Sequence, residues 1–315
     1  MFILKRIRRT HDKYHMFLPI KMQVPESFYE AEERSGHLIT KKEKKIWAVE
    51  LDLIEEFRRV CTKYNLRWFV AYGTLLGAVR HNGFIPWDND VDVWMPREDF
   101  KILCKHSNEF LHPYFLQTPQ TEKGRYFSNS AKLCNSLTTG SWKGLYDLGI
   151  NCGLFIDIFI LDEIPDSKEK ERSVLKKIFF YSRFEFFINR KNKHKLSFKQ
   201  YVRYLIWIFY FHKCDGAVLF DLIGEICDKC NGRGYGRMGY FPSLYGERDR
   251  FPKECLSETQ WVDFEILKVP VPIGFHTILS NVYGNYMQLP PIDKRCAHDY
   301  LDISPDIPYN EYWKS

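Results

Sequence analysis

The sequence contains no apolar run long enough to cross a membrane. Its longest uncharged apolar run extends only from Leu205 to Phe211, far short of the roughly 20 residues that a bilayer requires. The N-terminal residues MFILKRIRRT are basic, and neither an apolar core nor a small-residue cleavage site of a secretory signal accompanies them. We therefore predict a cytoplasmic protein without a membrane-spanning segment.

The sequence also lacks the cysteine pattern of a disulfide-stabilised secreted domain. Its nine cysteines are an odd number and are scattered over the chain, which is typical of a reduced interior. Cys227 and Cys230 form a CxxC pair with Cys214 and His212 upstream, but no second ligand pair follows at zinc-finger spacing. Buried thiols on a helix are therefore favoured over a zinc site.

The basic character of the chain is concentrated in one region. The net charge is +6 over 315 residues, yet residues 168–213 carry 13 Lys and Arg against 3 Asp and Glu. We predict a basic N-terminal segment over 1–39 and a catalytic core over 40–165. Residues 166–315 are predicted to form a helical, aromatic accessory region and the C-terminal part of the same domain.

Aromatic and basic residues alternate between 179 and 211, and three interpretations of this region stay open. It could form core helices of the accessory region, or a surface in peripheral contact with an anionic membrane through residues 168–213. The latter would place the protein at the inner face of the cell membrane. A nucleic-acid surface is the least favoured interpretation.

A helix, strand and helix are predicted in succession before the most polar motif of the chain. Thr40 and Glu43 form a capping-box pattern, and apolar residues then recur at steps of three and four until Asn65. RWFVAY (67–72) is strand-like, and a glycine turn and a short helix closed by Asn82 follow. Further strands are predicted over 90–95 and 154–161, and a last helix over 275–283.

Three aspartates, Asp88, Asp90 and Asp92, occupy alternate positions in WDNDVDVWM. Since side chains alternate across a strand, Asp90 and Asp92 would face one side with α-carbons roughly 6.5 Å apart. Asp157, the one polar residue of LFIDIFIL, would supply a third oxygen for a hard cation such as Mg²⁺. From the residues alone, a solvated acidic loop is the alternative, with Asp157 capping another element or pairing with an arginine.

The glycine turn before these acids predicts an anion site. Gly73 and Thr74 lie between a predicted strand and a predicted helix, and the backbone N–H groups at a helix N-terminus bind phosphate. A phosphate site would thus lie beside a cation site.

The run AYGTLLGAVRHNGFIPWDNDVDVWMPREDF (71–100) strongly resembles the LicD family, which includes the fukutin-type transferases and has a nucleotidyltransferase fold. GLFIDIFILDEI (153–164) and YGNYMQLPPIDKR (283–295) are similar as well. The expected fold class is therefore α/β (α+β), a nucleotidyltransferase-like mixed sheet with flanking helices and a helical, basic accessory region.

The resemblance implies roles for particular residues. It places the phosphate turn on Gly73 and Thr74, the metal pair on Asp90 and Asp92, and the third acid on Asp157, as a metal ligand, a general base or both. Asp88 matches an acidic position of the motif and is a less certain ligand, while Asn89 stands where many members carry aspartate. Mg²⁺ is the expected cofactor, with Mn²⁺ as an alternative.

Five further residues are candidates for substrate binding. Arg80 and His81 match the family motif and could contact donor phosphate, or they could be cations that balance the helix dipole. Lys132 is a weaker phosphate candidate. Trp87 either packs its loop or stacks on a quaternary ammonium group, and Arg295 matches the C-terminal motif without an assigned role.

The resemblance also implies a reaction. LicD-like proteins are phosphotransferases that move a phospho-alcohol, often phosphocholine, from a CDP-activated donor such as CDP-choline to a glycan hydroxyl, with CMP as the other product. The acceptor would be a glycan or a lipid-linked glycan of the cell surface, such as lipopolysaccharide, teichoic acid or capsule. The rivals are an NTP-dependent nucleotidyltransferase that releases pyrophosphate, a glycosyltransferase, and a membrane-associated interaction protein without activity.

Overall fold

The computed structural model describes residues 18–141, 143–188, 197–211, 214–295 and 302–314. Residues 1–17 of the predicted basic N-terminal segment lie outside the described residues, as do 189–196 and 212–213 of the basic region. His212, named above beside the CxxC pair, is among them.

The described residues form a mixed α/β fold. The strands are β1 (Glu32–Arg34), β2 (His37–Ile39), β3 (Phe69–Val70), β4 (Val91–Pro96), β5 (Tyr114–Gln117), β6 (Ala131–Asn135), β7 (Thr139–Ser141), β8 (Leu154–Ile164), β9 (Arg237–Gly239), β10 (Arg250–Pro252), β11 (Thr259–Phe264), β12 (Leu267–Pro272) and β13 (Asp302–Ser304). The helices are α1 (Lys41–Lys63), α2 (Tyr72–His81), α3 (Arg97–Lys105), α4 (Lys143–Tyr146), α5 (Lys168–Ser182), α6 (Glu185–Ile188), α7 (Phe198–Phe211), α8 (Gly216–Asp228), α9 (Phe275–Tyr283) and α10 (Tyr309–Tyr312).

The long helix α1 begins where the capping box predicts. The backbone N–H of Glu43 donates to Thr40 Oγ1 at 3.3 Å, and the Glu43 carboxylate accepts from the Thr40 N–H at 2.7 Å. These bonds satisfy two of the N–H groups that every helix start leaves free. The apolar face of α1 packs against β6 and β8 and forms one side of the main core.

The central sheet is built around β8. Strand β4 runs parallel to β8 on one side, and β3 pairs antiparallel with the outer edge of β4. On the other side of β8, β6 pairs antiparallel with its first half and β9 with its last residues. Strands β5 and β10 extend these two branches, so the sheet is mixed, as predicted.

The start of α2 differs from the prediction. The predicted strand over 67–72 is reduced to Phe69 and Val70, because Tyr72 already begins the helix. Gly73 and Thr74 therefore lie in the first helical turn and not in a separate turn before it. The predicted end of α2 is confirmed, since Asn82 adopts the left-handed conformation with φ of 52°.

A second, smaller core lies beside the main one. It contains Ile178 and Phe184 from the accessory region, Leu219 and Ile223 from α8, and Phe241. Within the described ranges, no helix combines the length and the apolar character that crossing a bilayer needs.

Candidate active site

Strands β4, β8 and β6 bring three charged residues to one level of the sheet. Asp92 on β4 is the register partner of Asp157 on β8, and Asp157 is the register partner of Lys132 on β6. Directly paired residues point to the same face of a sheet at a spacing of about 5 Å. The Lys132 Nζ lies 3.9 Å from Asp157 Oδ1 and 3.2 Å from the centroid of the Phe155 ring.

A cavity of about 770 Å³ opens over this row. Its acidic lining consists of Asp88, Asp90, Asp92, Asp157 and Glu185, and its aromatic lining consists of Tyr72, Phe159, Tyr240, Tyr245 and Tyr283. The remaining lining residues are Gly73, Leu76, Ile85, Ser128, Asn129, Pro242, Ser243 and Leu244. The cavity is therefore acidic on its floor and aromatic on its walls.

Burial and neighbouring carboxylates raise the pKa of three of these acids, Asp88, Asp92 and Asp157. Burial and the Asp90 carboxylate raise the pKa of Asp88, and burial with Asp90 and Asp157 raises the pKa of Asp92. Burial also raises the pKa of Asp157, although Lys132 opposes the shift. Grouped carboxylates of this kind need protons or cations to neutralise them.

A further carboxylate, which sequence reasoning missed, lies close to Asp88 and Asp90. Glu50 of α1 is 1% exposed, and its Oε2 atom has no hydrogen-bond partner. Burial, together with Asp90 and Asp88, raises its pKa well above the ordinary value. One turn earlier, the Trp47 indole donates to the Asp88 carbonyl at 3.1 Å and holds α1 against the acidic loop. The helical pattern alone gave no sign that an acid occupies this buried face.

The arrangement fits a metal ion that substrate helps to hold. Among the residues that the structure describes, no group of three or more His, Cys, Asp or Glu side chains is placed to hold a metal ion by itself. Mg²⁺ is usually bound through one or two carboxylates together with substrate phosphates and water. Asp88, Asp90, Asp92 and Asp157 are the carboxylates that could take part in such a site, with the unpartnered Glu50 oxygen behind them.

Gly73 and Thr74 support the acids directly. A Cβ atom added at Gly73 would lie 2.8 Å from Asp88 Oδ2, so the Asp88 carboxylate occupies the space that a side chain would fill. Thr74 is buried, and its Oγ1 accepts a hydrogen bond from the Asp92 backbone N–H at 2.8 Å. The side chain of Thr74 thus fixes β4 at the position of Asp92.

Tyr72 is held in an unusual backbone conformation at the cavity wall. Its φ of 41° is rare for a residue with a side chain. The Tyr72 hydroxyl donates to Asp249 Oδ2 at 2.6 Å, and its ring packs against Trp94 and Phe159. Strain of this kind persists only where surrounding contacts enforce it.

The predicted binding residues at the other end of α2 form a separate cluster outside the cavity lining. Arg80 donates to the Tyr286 carbonyl at 2.8 Å and to His81 Nε2 at 3.0 Å. Burial, Arg80 and Arg34 lower the pKa of His81 to about 4, so His81 is neutral at pH 7. Arg80 therefore carries the positive charge at the C-terminus of α2, and His81 orients it.

Trp87 and Arg295 complete this cluster. The Trp87 side chain is buried, and the Arg295 guanidinium lies 5.2 Å from the centroid of its ring. Arg295 also donates to the Pro290 and Ser35 carbonyls at 2.9 and 2.6 Å. Arg295 thus anchors the C-terminal motif on Trp87, one residue before Asp88.

The two cysteines of the CxxC pair lie in the second core. Cys227 and Cys230 are buried, and burial raises the pKa of both thiols. The Arg97 guanidinium near Cys227 is occupied by Asp162, with bonds of 2.5 and 2.7 Å. These cysteines contribute to packing in this part of the protein.

The mixed sheet, the acidic row across β4 and β8, and the glycine at the start of α2 define a nucleotidyltransferase-like α/β protein. Residues 65–191 match the family described as LicD/FKTN/FKRP, nucleotidyltransferase domain. This part of the chain therefore contains a LicD-family domain.

Similarity to other proteins extends over most of the chain in one case and is local in others. The chain is 27% identical over 258 residues to the lipopolysaccharide cholinephosphotransferase LicD of Haemophilus influenzae. The matched residues cover 79% of this chain and 92% of that relative. It is 28% identical over 109 residues to mannosyltransferase regulator 4 of Saccharomyces cerevisiae, covering 34% of this chain and 9% of that protein. An uncharacterised protein of Rickettsia prowazekii is 45% identical over 47 residues, 15% of this chain and 18% of that protein.

Proposed function

We propose that the protein transfers phosphocholine from CDP-choline to a hydroxyl group of a cell-surface glycan, or of its lipid-linked precursor, and releases CMP. The observation that carries this proposal is the register pairing of Asp92 with Asp157 beneath a cavity that also contains Asp88 and Asp90. The similarity to a lipopolysaccharide cholinephosphotransferase over most of both chains supports the same reaction class.

Asp90 and Asp92 are the residues that we propose to hold Mg²⁺, with Asp157 beside them. A bound Mg²⁺ would neutralise the diphosphate of the donor and the charge that develops on it. Thr74 fixes the backbone of Asp92, and Gly73 leaves room for Asp88. The chain thus holds its carboxylates in place before substrate arrives.

The aromatic wall favours choline over uncharged alcohols. The Tyr72 and Tyr245 ring centroids are 5.3 Å apart, and the Tyr245 hydroxyl lies 3.2 Å from that of Tyr283. A quaternary ammonium group binds the faces of aromatic rings through cation–π attraction. These tyrosines, which line the cavity, suit this role better than the buried Trp87.

The bonds formed and broken in the transfer balance, so that the reaction needs no further reagent. The acceptor oxygen forms a bond to the phosphocholine phosphorus, the bond from that phosphorus to the bridging oxygen breaks, and CMP leaves with the bonding electrons. The acceptor proton passes to a base, for which Asp157 is the candidate because burial raises its pKa. Lys132, 3.9 Å from Asp157, holds that carboxylate in place.

The test is to incubate the protein with CDP-choline, Mg²⁺ and lipopolysaccharide or teichoic-acid acceptors, and to measure CMP and labelled acceptor. We expect CMP release that depends on acceptor and is lost in Asp92→Asn. The matched control is Asp263→Asn, because Asp263 is exposed and pairs with Lys268 in the β11–β12 hairpin. Undiminished turnover in Asp92→Asn would refute the assignment.

The same assay separates the rival reactions. An NTP-dependent nucleotidyltransferase would release pyrophosphate and leave a nucleotide on the acceptor, whereas the proposed reaction consumes no NTP. An inactive interaction protein would bind neither Mn²⁺ nor CDP-choline in calorimetry. Product identity and metal binding thus decide between the three.

A further inference from the structure

Helix α7 exposes a continuous apolar stripe. Its exposed apolar and aromatic side chains, which we call the α7 surface, are Phe198, Tyr201, Val202, Leu205, Ile206, Phe209 and Tyr210. Phe198 is 85% exposed and Phe209 75%. Because these residues recur at steps of three and four, they share one face of the helix. Exposed patches of this kind are rare on soluble proteins unless something binds them.

The α7 surface points away from the protein. Tyr204, on the opposite side of the helix, is partly buried against the second core and attaches α7 to it. Lys199 and Arg203 are exposed and flank one edge of the stripe. An apolar face bordered by basic residues is the pattern of a helix that lies in the plane of a membrane interface.

We infer that the α7 surface binds an anionic lipid bilayer, with α7 parallel to the membrane plane. At about 1.5 Å per residue its 14 residues reach only about 21 Å, too short to span a bilayer but sufficient to lie along one. The apolar stripe enters the headgroup boundary, and the basic residues remain in contact with anionic lipid headgroups.

The sequence charge of the region that contains α7 favours one occupant. Residues 168–213 carry a net charge of +10, and Arg172, Lys176 and Lys177 are exposed on α5 close to the exposed Phe179 and Phe180. A second copy of this chain would bring two such positive regions together, which is unfavourable. A nucleic acid would leave the aliphatic Val202, Leu205 and Ile206 without a matching partner. An anionic bilayer satisfies both the charge and the apolar stripe.

This surface shares its supporting core with residues at the cavity mouth. Asn129 of the cavity lining donates to Ser182 Oγ at 3.4 Å at the end of α5, and Glu185 of α6 lines the cavity. Phe184, between them, belongs to the same second core as Tyr204. Membrane binding therefore anchors the part of the protein that borders the cavity, but the binding itself does not depend on the proposed reaction.

The experiment is flotation of the whole protein with vesicles of phosphatidylcholine, with and without phosphatidylglycerol, in the absence of donor and acceptor. We expect binding to vesicles that contain phosphatidylglycerol and little binding to phosphatidylcholine alone. The double variant Leu205→Glu/Phe209→Glu should lose most of this binding. Lys199→Glu should weaken it at least about fivefold, and more salt should weaken it further. The matched control is Leu111→Glu, since Leu111 is 67% exposed but lies outside the basic region.

Three outcomes would overturn the inference. These are recovery of the wild-type protein only in the soluble fraction, equal binding by the double variant and the wild type, and a lipid-independent dimer that the double variant abolishes. The last would show that a second copy covers α7. Thermal unfolding of each variant checks that the variant folds. If the double variant does not fold, Phe209→Ser provides a milder substitution.

Discussion

The α-carbon of Gly73 lies against the carboxylate of Asp88, so that a Cβ at position 73 would be 2.8 Å from Asp88 Oδ2. Asp88 is in turn coupled to Asp90 through the charges that raise its pKa. One glycine at the start of α2 therefore leaves the space that the Asp88 carboxylate occupies. Cβ atoms essentially never show contacts this short, so the Asp88 carboxylate would have to move.

Replacement of this glycine should damage the site without unfolding the protein. We expect Gly73→Ala to displace the Asp88 carboxylate and to weaken Mn²⁺ binding at least tenfold, measured by calorimetry or by electron paramagnetic resonance. Gly236→Ala is the control, because a Cβ there would meet only Asp166 Oδ1, at 3.8 Å. Equal metal affinity in both variants would show that Asp88 tolerates the methyl group.

The pairing of Asp92 with Asp157 predicts opposite effects on stability and on metal response. Because burial and the neighbouring carboxylates raise the pKa of Asp92, Asp92→Asn should raise the free energy of unfolding of the metal-free protein, by on the order of 1 kcal/mol for each unit by which that pKa is raised. It should also abolish the rise in melting temperature that Mg²⁺ gives the wild type, because a cation that binds only the folded state stabilises it. Differential scanning fluorimetry with and without Mg²⁺ measures both effects. A variant that is both less stable and still responsive to Mg²⁺ would contradict them.

The elements with a strong local signal were predictable from the sequence. The capping box and apolar periodicity of α1, the Asn82 end of α2 and the last helix with Gly284 at its end each depend on a few neighbouring residues. The aspartates were found because charge at alternate positions in a strand-like stretch is costly without a partner. These signals are local, so one sequence suffices to read them.

The remaining parts depend on contacts between distant residues. The register that pairs Asp92 with Asp157 and Lys132 joins three strands that are far apart in sequence. In the sequence Glu50 looks like an ordinary helical acid, and only the fold shows that it is buried. Asp249 accepts a hydrogen bond from the Tyr72 hydroxyl, which is 177 residues away in the sequence. Propensity and spacing carry no information on such pairings. For the same reason, sequence grouped Arg80 and Trp87 with the aspartates, whereas neither side chain is among the residues that line the cavity.

Asp249 should make the stability of the protein depend on pH. Burial raises the pKa of Asp249 to about 6, although the Tyr72 hydroxyl opposes the shift. Because this pKa is higher than the ordinary aspartate value of about 3.9, the folded state binds the proton more tightly than the unfolded state. Protonated Asp249 therefore contributes its full stabilisation to the folded state below a pH of about 4. This contribution is lost as the pH rises through about 6, and the free energy of unfolding falls by roughly 3 kcal/mol in all.

Urea unfolding across this range measures the effect. Asp249→Asn keeps an oxygen acceptor for Tyr72 and does not titrate, so its stability should fall less between pH 4 and pH 6 than that of the wild type. Asp263→Asn, at an exposed position, should leave the wild-type slope unchanged. Parallel curves for Asp249→Asn and the wild type would assign the slope to other groups.

Glu50 should be costly to the protein in the absence of a cation. Its carboxylate is buried, its Oε2 has no partner, and Asp90 and Asp88 are close enough to raise its pKa. Glu50→Gln should therefore increase the metal-free stability near pH 7 and reduce the additional stabilisation by Mg²⁺, because the negative potential behind the site is lost. Glu55→Gln on the same helix, where Glu55 is half-buried beside Arg58, should change stability by less than about 0.5 kcal/mol. A loss of stability in Glu50→Gln would indicate that the folded state uses the charge of Glu50.

The tyrosine wall predicts how the protein distinguishes between donors. Tyr245 packs against Tyr72 with ring centroids 5.3 Å apart and bonds to the Tyr283 hydroxyl at 3.2 Å. If these rings bind the choline group, Tyr245→Leu should raise the KM for CDP-choline about 5- to 30-fold, which corresponds to a cation–π contribution of about 1–2 kcal/mol. CDP-glycerol, which has no cation, should be much less affected. Tyr245→Phe keeps the ring and removes only the hydroxyl, so it should retain most of the preference for CDP-choline. An equal loss for both donors in Tyr245→Leu would place the alcohol group of the donor elsewhere in the cavity.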